Sequence, residues 1–239
     1  MSRNQDRLGG VQQPDTSPPP QQGGGGFSFV VPTEFVDLPS QGRFYPQGHP
    51  LHGKDSVEIK QMTAKEEDIL TSRSLLKKGL AVDKLIDSIV MDKSINTKDL
   101  LIGDRNAILI AARVSGYGND YETQVECPAC TPKQKYCFDL NEARIDEGGV
   151  DDDTDTVDNG DGTITCFLPN TDIKVVARLL TGRHEPNLTK VVKSDQIVSK
   201  QLESIIVSVN DDRSRQAIKY VASNIPSIES RYLRSELKK

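Results

Sequence analysis

The chain has 239 residues, of which 35% are hydrophobic and 27% are charged, and this composition can bury a core of moderate size. Its formal charge of -5 and its pI near 5.3 argue against a general nucleic-acid binder, because that activity needs clustered Lys and Arg. The polar N-terminus predicts no secretory signal, and no apolar run approaches the roughly 20 residues that span a bilayer. We therefore expect a protein made in the cytosol, with no membrane partner.

Two polar segments open the chain. Residues 1–26 are rich in Gln, Pro, Ser and Gly and cannot bury enough apolar surface to offset their ordering entropy, so a disordered tail is predicted. Residues 27–56 are predicted to form an extended loop, because proline or glycine recurs every few residues. Two interpretations of this loop stay open, a contact surface for a partner and a packed lead-in to the next strand. Its candidate partner-binding residues are Phe35, Leu38, Phe44 and Tyr45.

Residues 57–120 are predicted to form a strand followed by a helical core. Val57 and Ile59 alternate with charged residues, which is the period of a half-buried strand. Thr63 and Glu66 have the spacing of a capping box, and the acidic residues that follow Thr63 suit the positive end of a helix dipole. The strand should therefore give way to a helix just after Thr63.

Three apolar helical faces follow this junction. Gly79 is a natural left-handed stop for the first helix, and a second helix is predicted from Ala81 to Met91. Asp104 is predicted to cap a third helix that runs through Val114. The small residues of that helix allow close approach of a neighbour and are Ala107, Ile110, Ala111 and Val114.

Residues 121–181 change to the period of a β-sheet. Alternation before and after a CPAC motif predicts an antiparallel hairpin with Cys127 and Cys130 at its tip. Residues 141–162 are an acidic, glycine-rich insertion, which is predicted not to fold by burial. A solvated insertion is favoured over an EF-hand there, because Val157 and Leu168 would occupy ligand positions that need carboxylates.

The CPAC motif raises the question of a metal site. A tetrahedral zinc site needs four ligands, and the candidate set is Cys127, Cys130, Cys137 and Cys166. The other interpretation is a degenerate zinc knuckle that has lost its metal or that gains ligands from a partner. It is favoured because Tyr136 and Phe138, the neighbours of Cys137, indicate ordinary packing of a strand. A thioredoxin-type redox motif is disfavoured, since that motif opens a helix.

Residues 182–239 are predicted to be C-terminal helices. A stripe of apolar residues from Val198 to Val209 has helical spacing, and Asp211 or Asp212 is expected to start the next helix. Ile225-Pro226 should break that helix before a terminal one that starts at Ser227.

Together these patterns predict an α+β fold, with a helical core and a small antiparallel sheet that carries the CxxC hairpin. No Ser, His and carboxylate arrangement, no pair of acids in an apolar setting and no phosphate-binding loop stands out in the sequence, which leaves open only a site assembled from distant residues. We therefore predict a protein that is not an enzyme, has no small-molecule substrate and works in binding or assembly.

Three stretches in order, VDLPSQGRFYP, VEIKQMTAKEEDIL and LLIGDRNAILIAARVSGYGNDYETQVECPAC, resemble the baseplate hub subunit family of T4-like bacteriophages. The resemblance is continuous from Phe35 to Leu140 and weaker from Thr163 to Leu233, where RYLRSEL is similar to a later family segment. It implies a non-catalytic protein of the tail baseplate hub, either built into the hub or acting as an assembly factor. Its partners would be other tail proteins, and its location the host cytoplasm during assembly or the virion.

The resemblance also bears on the cysteines. Family members often carry a cysteine pair where Cys127 and Cys130 stand, and longer members continue into a second cysteine-bearing segment. The sequence up to Lys239 has no such segment, which weakens the case for a zinc site.

The hypothesis from the sequence is that the Pro/Gly-rich loop and the CPAC hairpin dock on other tail proteins. Its rivals are a zinc-knuckle adaptor for nucleic acid or a host protein, and a CxxC thiol oxidoreductase. Nucleic-acid affinity would fall steeply with ionic strength, whereas a contact built on Phe35, Phe44 and Tyr45 would survive it.

Overall fold

A computed structural model describes residues 30–126, 133–142, 156–186 and 196–237. In these ranges the chain forms seven α-helices and eight β-strands, which confirms the predicted α+β class. The strands make two two-stranded sheets and one four-stranded sheet, all with antiparallel pairing. The CPAC tip and the predicted N-terminal tail lie outside the described residues.

The strands are β1 Thr33–Asp37, β2 Ser56–Lys60, β3 Asp120–Glu126, β4 Lys133–Asp139, β5 Thr156–Asp158, β6 Thr163–Phe167, β7 Lys174–Arg178 and β8 Ile206–Val209. The helices are α1 Ala64–Thr71, α2 Arg73–Lys78, α3 Ala81–Ile89, α4 Ile102–Tyr117, α5 Ile197–Ile205, α6 Arg215–Asn224 and α7 Ser227–Glu236. A short 3-10 turn, Leu140–Glu142, follows β4.

The predicted strand-to-helix junction is confirmed. β2 alternates between buried and half-buried residues, and α1 begins directly after Thr63. The Glu66 carboxylate accepts a hydrogen bond from the Thr63 N–H at 3.0 Å, as a capping box requires. The helical region then breaks at Ser72 and resumes as α2, which stops at Gly79 in the left-handed conformation (φ 67°).

The predicted start of the third helix is wrong. α4 begins at Ile102, so that Asp104 lies inside its first turn and is not the cap. The Asp104 carboxylate instead accepts hydrogen bonds from the loop that follows β1, and this long-range role leaves no local signature in the sequence.

Two predictions in the second half are also wrong. The apolar stripe from Val198 to Val209 is not one helix, because α5 ends at Ile205 and β8 pairs with β7. β8 is rich in β-branched residues, which favour strands, and its apolar residues coincide with a helical period. The acidic segment is not wholly without structure, since Thr156–Asp158 form β5 at the edge of the four-stranded sheet.

The helix after β8 starts later than predicted. Asn210 and Asp211 adopt positive φ angles of 46° and 65° in the turn that ends β8. α6 then starts after Ser214, whose hydroxyl accepts a hydrogen bond from the Ala217 N–H at 3.2 Å. The break at Ile225-Pro226 and the terminal helix from Ser227 are confirmed.

Two hydrophobic cores organise the described residues. The first is built from β1, β2, α3 and α4, and the second from β6, β7, β8 and the last three helices. The segment after β7 joins them, because Leu179 packs against the first core and Leu180 against the second. The Leu180 carbonyl also accepts a hydrogen bond from the Ile102 N–H at 2.9 Å, which fixes the start of α4 to this segment.

Candidate protein-protein interaction site

The loop between β1 and β2 is fixed to the start of α4 through one buried carboxylate. Asp104 accepts hydrogen bonds from the Ser40 N–H at 3.0 Å, from the Ser40 hydroxyl at 2.6 Å and from the Tyr45 hydroxyl at 2.6 Å. The Tyr45 oxygen in turn accepts from the Leu101 N–H at 3.1 Å. The loop is therefore held by a closed polar network inside the first core, and not by apolar contacts alone.

Tyr45 is the centre of this loop. Its ring is buried and stacks on His49 with the ring centroids 4.4 Å apart. Burial, together with the negative charge and hydrogen bond of Asp104, raises the pKa of Tyr45 far above its usual value, so the hydroxyl stays a neutral donor. Burial also lowers the pKa of His49. Tyr45 therefore acts as a neutral hydrogen-bond donor to the buried Asp104 carboxylate.

A glycine with a positive φ angle makes the turn of this loop. Gly42 has φ 69°, and a Cβ atom there would lie 2.4 Å from the Leu51 carbonyl oxygen. Because backbone and not a flexible side chain blocks that space, residue 42 must be glycine for the loop to keep this path.

The predicted partner-binding residues separate into two groups. Leu38 and Tyr45 are buried in the first core, and Phe44 is half-buried against it. Phe35 lies on β1 with 73% of its surface exposed. The contact of these residues with a partner stays a prediction, but Phe35 offers its ring to solvent while the others support the loop from inside.

A second exposed surface is the two-stranded ribbon of β3 and β4. Tyr121 is opposite Phe138, and Thr123 is opposite Tyr136, so the three aromatic rings share one face of the ribbon. Tyr121, Tyr136 and Phe138 are 45%, 52% and 44% exposed, and the last two rings lie 4.5 Å apart. We call this the aromatic face.

The ribbon is attached to the fold at its base. Arg113 on α4 donates hydrogen bonds to the carbonyls of Gly118 at 2.7 Å and Asp120 at 3.1 Å, and the Leu140 N–H donates to the Asn119 carbonyl at 2.9 Å. In the described part of the chain, no third strand pairs with β3 or β4. A two-stranded hairpin is marginally stable in water, so a partner on the aromatic face would stabilise it.

A model of the family described as T4 bacteriophage base plate protein matches residues 32–232. The chain belongs to this family. The match spans the first hydrophobic core, the loop held by Asp104, the ribbon and the second core up to residue 232, and it gives the chain a structural role in the phage tail, in contact with other tail or baseplate proteins. No curated protein and no solved structure matches the chain significantly.

Family membership confirms the resemblance at the level of a T4-like phage baseplate protein. The exposure of the aromatic face of this baseplate protein differs from what the sequence predicts. Tyr136 and Phe138 were predicted to pack in the ordinary way around Cys137, and they are exposed instead. The alternation of Tyr121 with Glu122 was a correct signal for a strand but carried no information on whether its apolar side is covered.

The candidate metal ligands do not come together in the described residues. Cys137 is exposed on β4 opposite Glu122, on the side of the ribbon away from the aromatic face. Four residue steps, about 13 Å, separate it from the Glu126–Lys133 pair, the last described pair before the CPAC motif. Cys166 is buried in the second core, and Cys127 and Cys130 lie outside the described residues.

The environment of Cys166 is poor for a zinc ligand. Burial raises the pKa of its thiol, and the Thr156 hydroxyl donates to its sulfur at 3.7 Å. Zinc binds the thiolate, so ligation would have to reverse this preference for the thiol. Across the described ranges, no group of three or more His, Cys, Asp or Glu side chains is placed to hold a metal ion.

The four-cysteine zinc site stays a prediction, with a direct test. If all four cysteines bind one ion, the purified protein contains one zinc per chain and Cys166→Ser releases it. Elemental analysis of both proteins measures this, and circular dichroism checks that the variant is folded. Stoichiometric zinc that survives Cys166→Ser would contradict the four-cysteine site.

None of the helices in the described ranges is long and apolar enough to cross a membrane.

Proposed function

We propose that this baseplate protein is a subunit of the tail hub or an assembly factor for it, formed in the host cytoplasm and acting without catalysis. Its family supports the baseplate role, and its resemblance to hub proteins supports the position in the hub. The action proposed is to present a rigid surface to other tail proteins during assembly. The exposed aromatic face is the observation that carries the docking part of this proposal.

In the described strands of the ribbon, the aromatic face carries no Lys or Arg that could bind phosphates, so it suits an apolar protein surface better than a nucleic acid. Tyr and Phe rings supply large contact areas at a low cost in conformational entropy and are enriched at protein interfaces. The opposite face of the ribbon carries charges of both signs, with Glu126 opposite Lys133, and so suits solvent. Docking through the aromatic face should therefore persist at high ionic strength, whereas nucleic-acid binding would not.

The test is a change of the aromatic face in the phage. Tyr136→Ser combined with Phe138→Ser removes most of the exposed ring surface without touching either core. We expect incorporation of the chain into tail assemblies, or the yield of complete tails if the chain is an assembly factor, to fall by about tenfold. Quantitative mass spectrometry of purified tails and counts of infectious particles measure the effect.

The matched control is Lys133→Ser combined with Lys135→Ser, on the same strand and the opposite face. Its tails should be near normal, because exposed charges contribute little to a contact that they do not face. A chain found in wild-type tails is a subunit, and one that is required but absent from them is an assembly factor. Complete, infectious particles at wild-type yield from the aromatic variant would overturn the docking proposal.

A further inference from the structure

β1 has an open hydrogen-bonding edge. The Gln61 N–H donates to the Pro32 carbonyl at 2.9 Å, and the Leu38 N–H donates to the Asp55 carbonyl at 2.7 Å. Because antiparallel ladders alternate, the even-numbered residues of β1 bond to β2 and the odd-numbered ones point their backbone groups the other way. β1 therefore presents unpaired N–H and C=O groups at Thr33, Phe35 and Asp37, and no described hydrogen bond satisfies them.

A groove of about 540 Å³ runs between this edge and α4. Its α4 side is the small apolar stripe that the sequence predicted as a helix-packing face, and within the described ranges no α-helix lines the groove opposite it, where only the 3-10 turn contributes Leu140 and Asn141. Ile110 in this stripe is 40% exposed. One wall of the groove is thus mainly apolar, and the other is a row of open backbone groups. The α4 residues that line it are Gly103, Asn106, Ala107, Ile110, Ala111 and Val114.

The charged side chains that line the groove are all acidic in the described residues. Glu34 and Asp37 line it, and among the described residues no Lys or Arg does. The Oε1 atom of Glu34 is buried and has no hydrogen-bond partner within the described ranges. A buried carboxylate oxygen without a donor is costly, so the occupant that fits this groove brings a cation.

We propose that this groove binds an extended segment of another tail protein as a third strand beside β1. Apolar side chains of the segment face α4, and one Lys or Arg of the segment binds Glu34. An extended segment can form hydrogen bonds with the open backbone groups of β1, because it presents its own N–H and C=O groups at every second residue. A helix cannot, since its backbone groups are bonded to each other. The identity of the partner as a tail protein rests on the proposed function, but the strand-binding site does not.

Charge argues against a second copy of β1 as the occupant. A second β1 would bring another Glu34 and another Asp37 and no cation, so carboxylates would meet carboxylates. The five residues of β1 can pair with a segment of similar length, about 17 Å. A short extended peptide is therefore long enough to test the site.

The experiment uses the full chain, labelled with ¹⁵N, and three capped synthetic peptides. The first is Val-Thr-Lys-Thr-Val-Thr, in which the Lys and both Val side chains share one face of the strand. The second has Glu in place of Lys, and the third is the first peptide N-methylated at alternate residues on its pairing edge. We expect the Lys peptide to shift the amide resonances of Thr33, Phe35, Asp37 and Ile110. The Glu peptide should bind about tenfold more weakly, and N-methylation should abolish binding because it removes the donors.

Protein variants test the proposed role of the carboxylate. Glu34→Gln should reduce the preference for the Lys peptide over the Glu peptide to about threefold or less, since the attraction to a full charge is lost. Glu58→Gln is the matched control, because Glu58 lies on the neighbouring strand opposite Phe35 and does not line the groove. It should leave the preference unchanged.

Three results would overturn this proposal: no resonance shifts at millimolar Lys peptide, binding that survives N-methylation, and shifts confined to residues outside the groove. None of them depends on the ribbon. Conversely, peptide binding together with normal assembly of the aromatic variant would retain the strand site and reject the docking role of the aromatic face.

Discussion

Replacing Asp104 by alanine is expected to lower the free energy of unfolding by about 4 kcal/mol, the largest effect that we predict for this baseplate protein. The carboxylate is fully buried and accepts three hydrogen bonds, two from Ser40 and one from Tyr45. Alanine would leave all three donors buried without an acceptor, and each orphaned group costs about 1–3 kcal/mol. The loop between β1 and β2 would lose its attachment to α4.

Urea unfolding followed by circular dichroism measures this loss. Asp104→Asn keeps one acceptor oxygen and should cost about half as much as alanine. Asp68→Ala is the control, because Asp68 is exposed on α1 and its substitution should change the stability by about 0.5 kcal/mol or less. An Asp104→Ala protein within about 1 kcal/mol of the wild type would contradict the role assigned to this network.

The elements that the sequence predicted correctly are those with local causes. The junction at Thr63 depends on a hydrogen bond between residues three apart, and the stop at Gly79 depends on one residue that tolerates a positive φ angle. Both causes lie within a few residues, so they are visible as spacing. The pairing of β3 with β4 was visible for the same reason, since a short connection joins two alternating segments.

The errors have long-range causes. Asp104 is a residue type that often caps helices and lies near the start of α4, so the sequence suggests a cap. In the structure it instead accepts a hydrogen bond from Tyr45, which is 59 residues away in the sequence. β8 has apolar spacing that fits a helix, and what makes it a strand is pairing with β7, about 30 residues earlier. Spacing within one segment carries no information on either partner.

The exposure of the two candidate surfaces could not be predicted from local sequence patterns either. Periodicity identified apolar residues on β3, β4 and α4 correctly, and an apolar stripe in a sequence is core far more often than surface. Whether a stripe is covered depends on which elements the fold brings against it. The exposed rings of Tyr136 and Phe138 and the open groove beside Ile110 therefore became apparent only in the structure.

The second large effect that we expect is a pH dependence from Glu66, whose protonation should remove about 2 kcal/mol of stability between about pH 4.5 and pH 2. Burial by itself would raise the pKa of this carboxyl, but hydrogen bonds from Lys60 at 2.7 Å, from Ser88 at 2.5 Å and from Thr63 outweigh it and lower the pKa from 4.5 to about 2. A carboxyl with a lower pKa in the folded state stabilises the protein above its unfolded pKa, and this contribution is lost as the pH falls through the folded value. The full shift corresponds to about 3 kcal/mol, which we reduce because Lys60 is partly solvated.

Glu66→Gln isolates this contribution, because glutamine has the same shape and cannot ionise. Relative to the wild type, the variant should be less stable by about 2 kcal/mol at neutral pH, and the difference should shrink towards zero as the pH falls to about 2 and below, where the folded wild-type carboxyl becomes protonated as well. Denaturant unfolding of both proteins at several pH values gives the difference directly, and Asp68→Asn on the same helix should show a flat, near-zero difference. A Glu66→Gln deficit that stays constant down to about pH 2 would mean that the carboxylate contributes through shape and neutral hydrogen bonding, and that its charge does not stabilise the junction between β2 and α1.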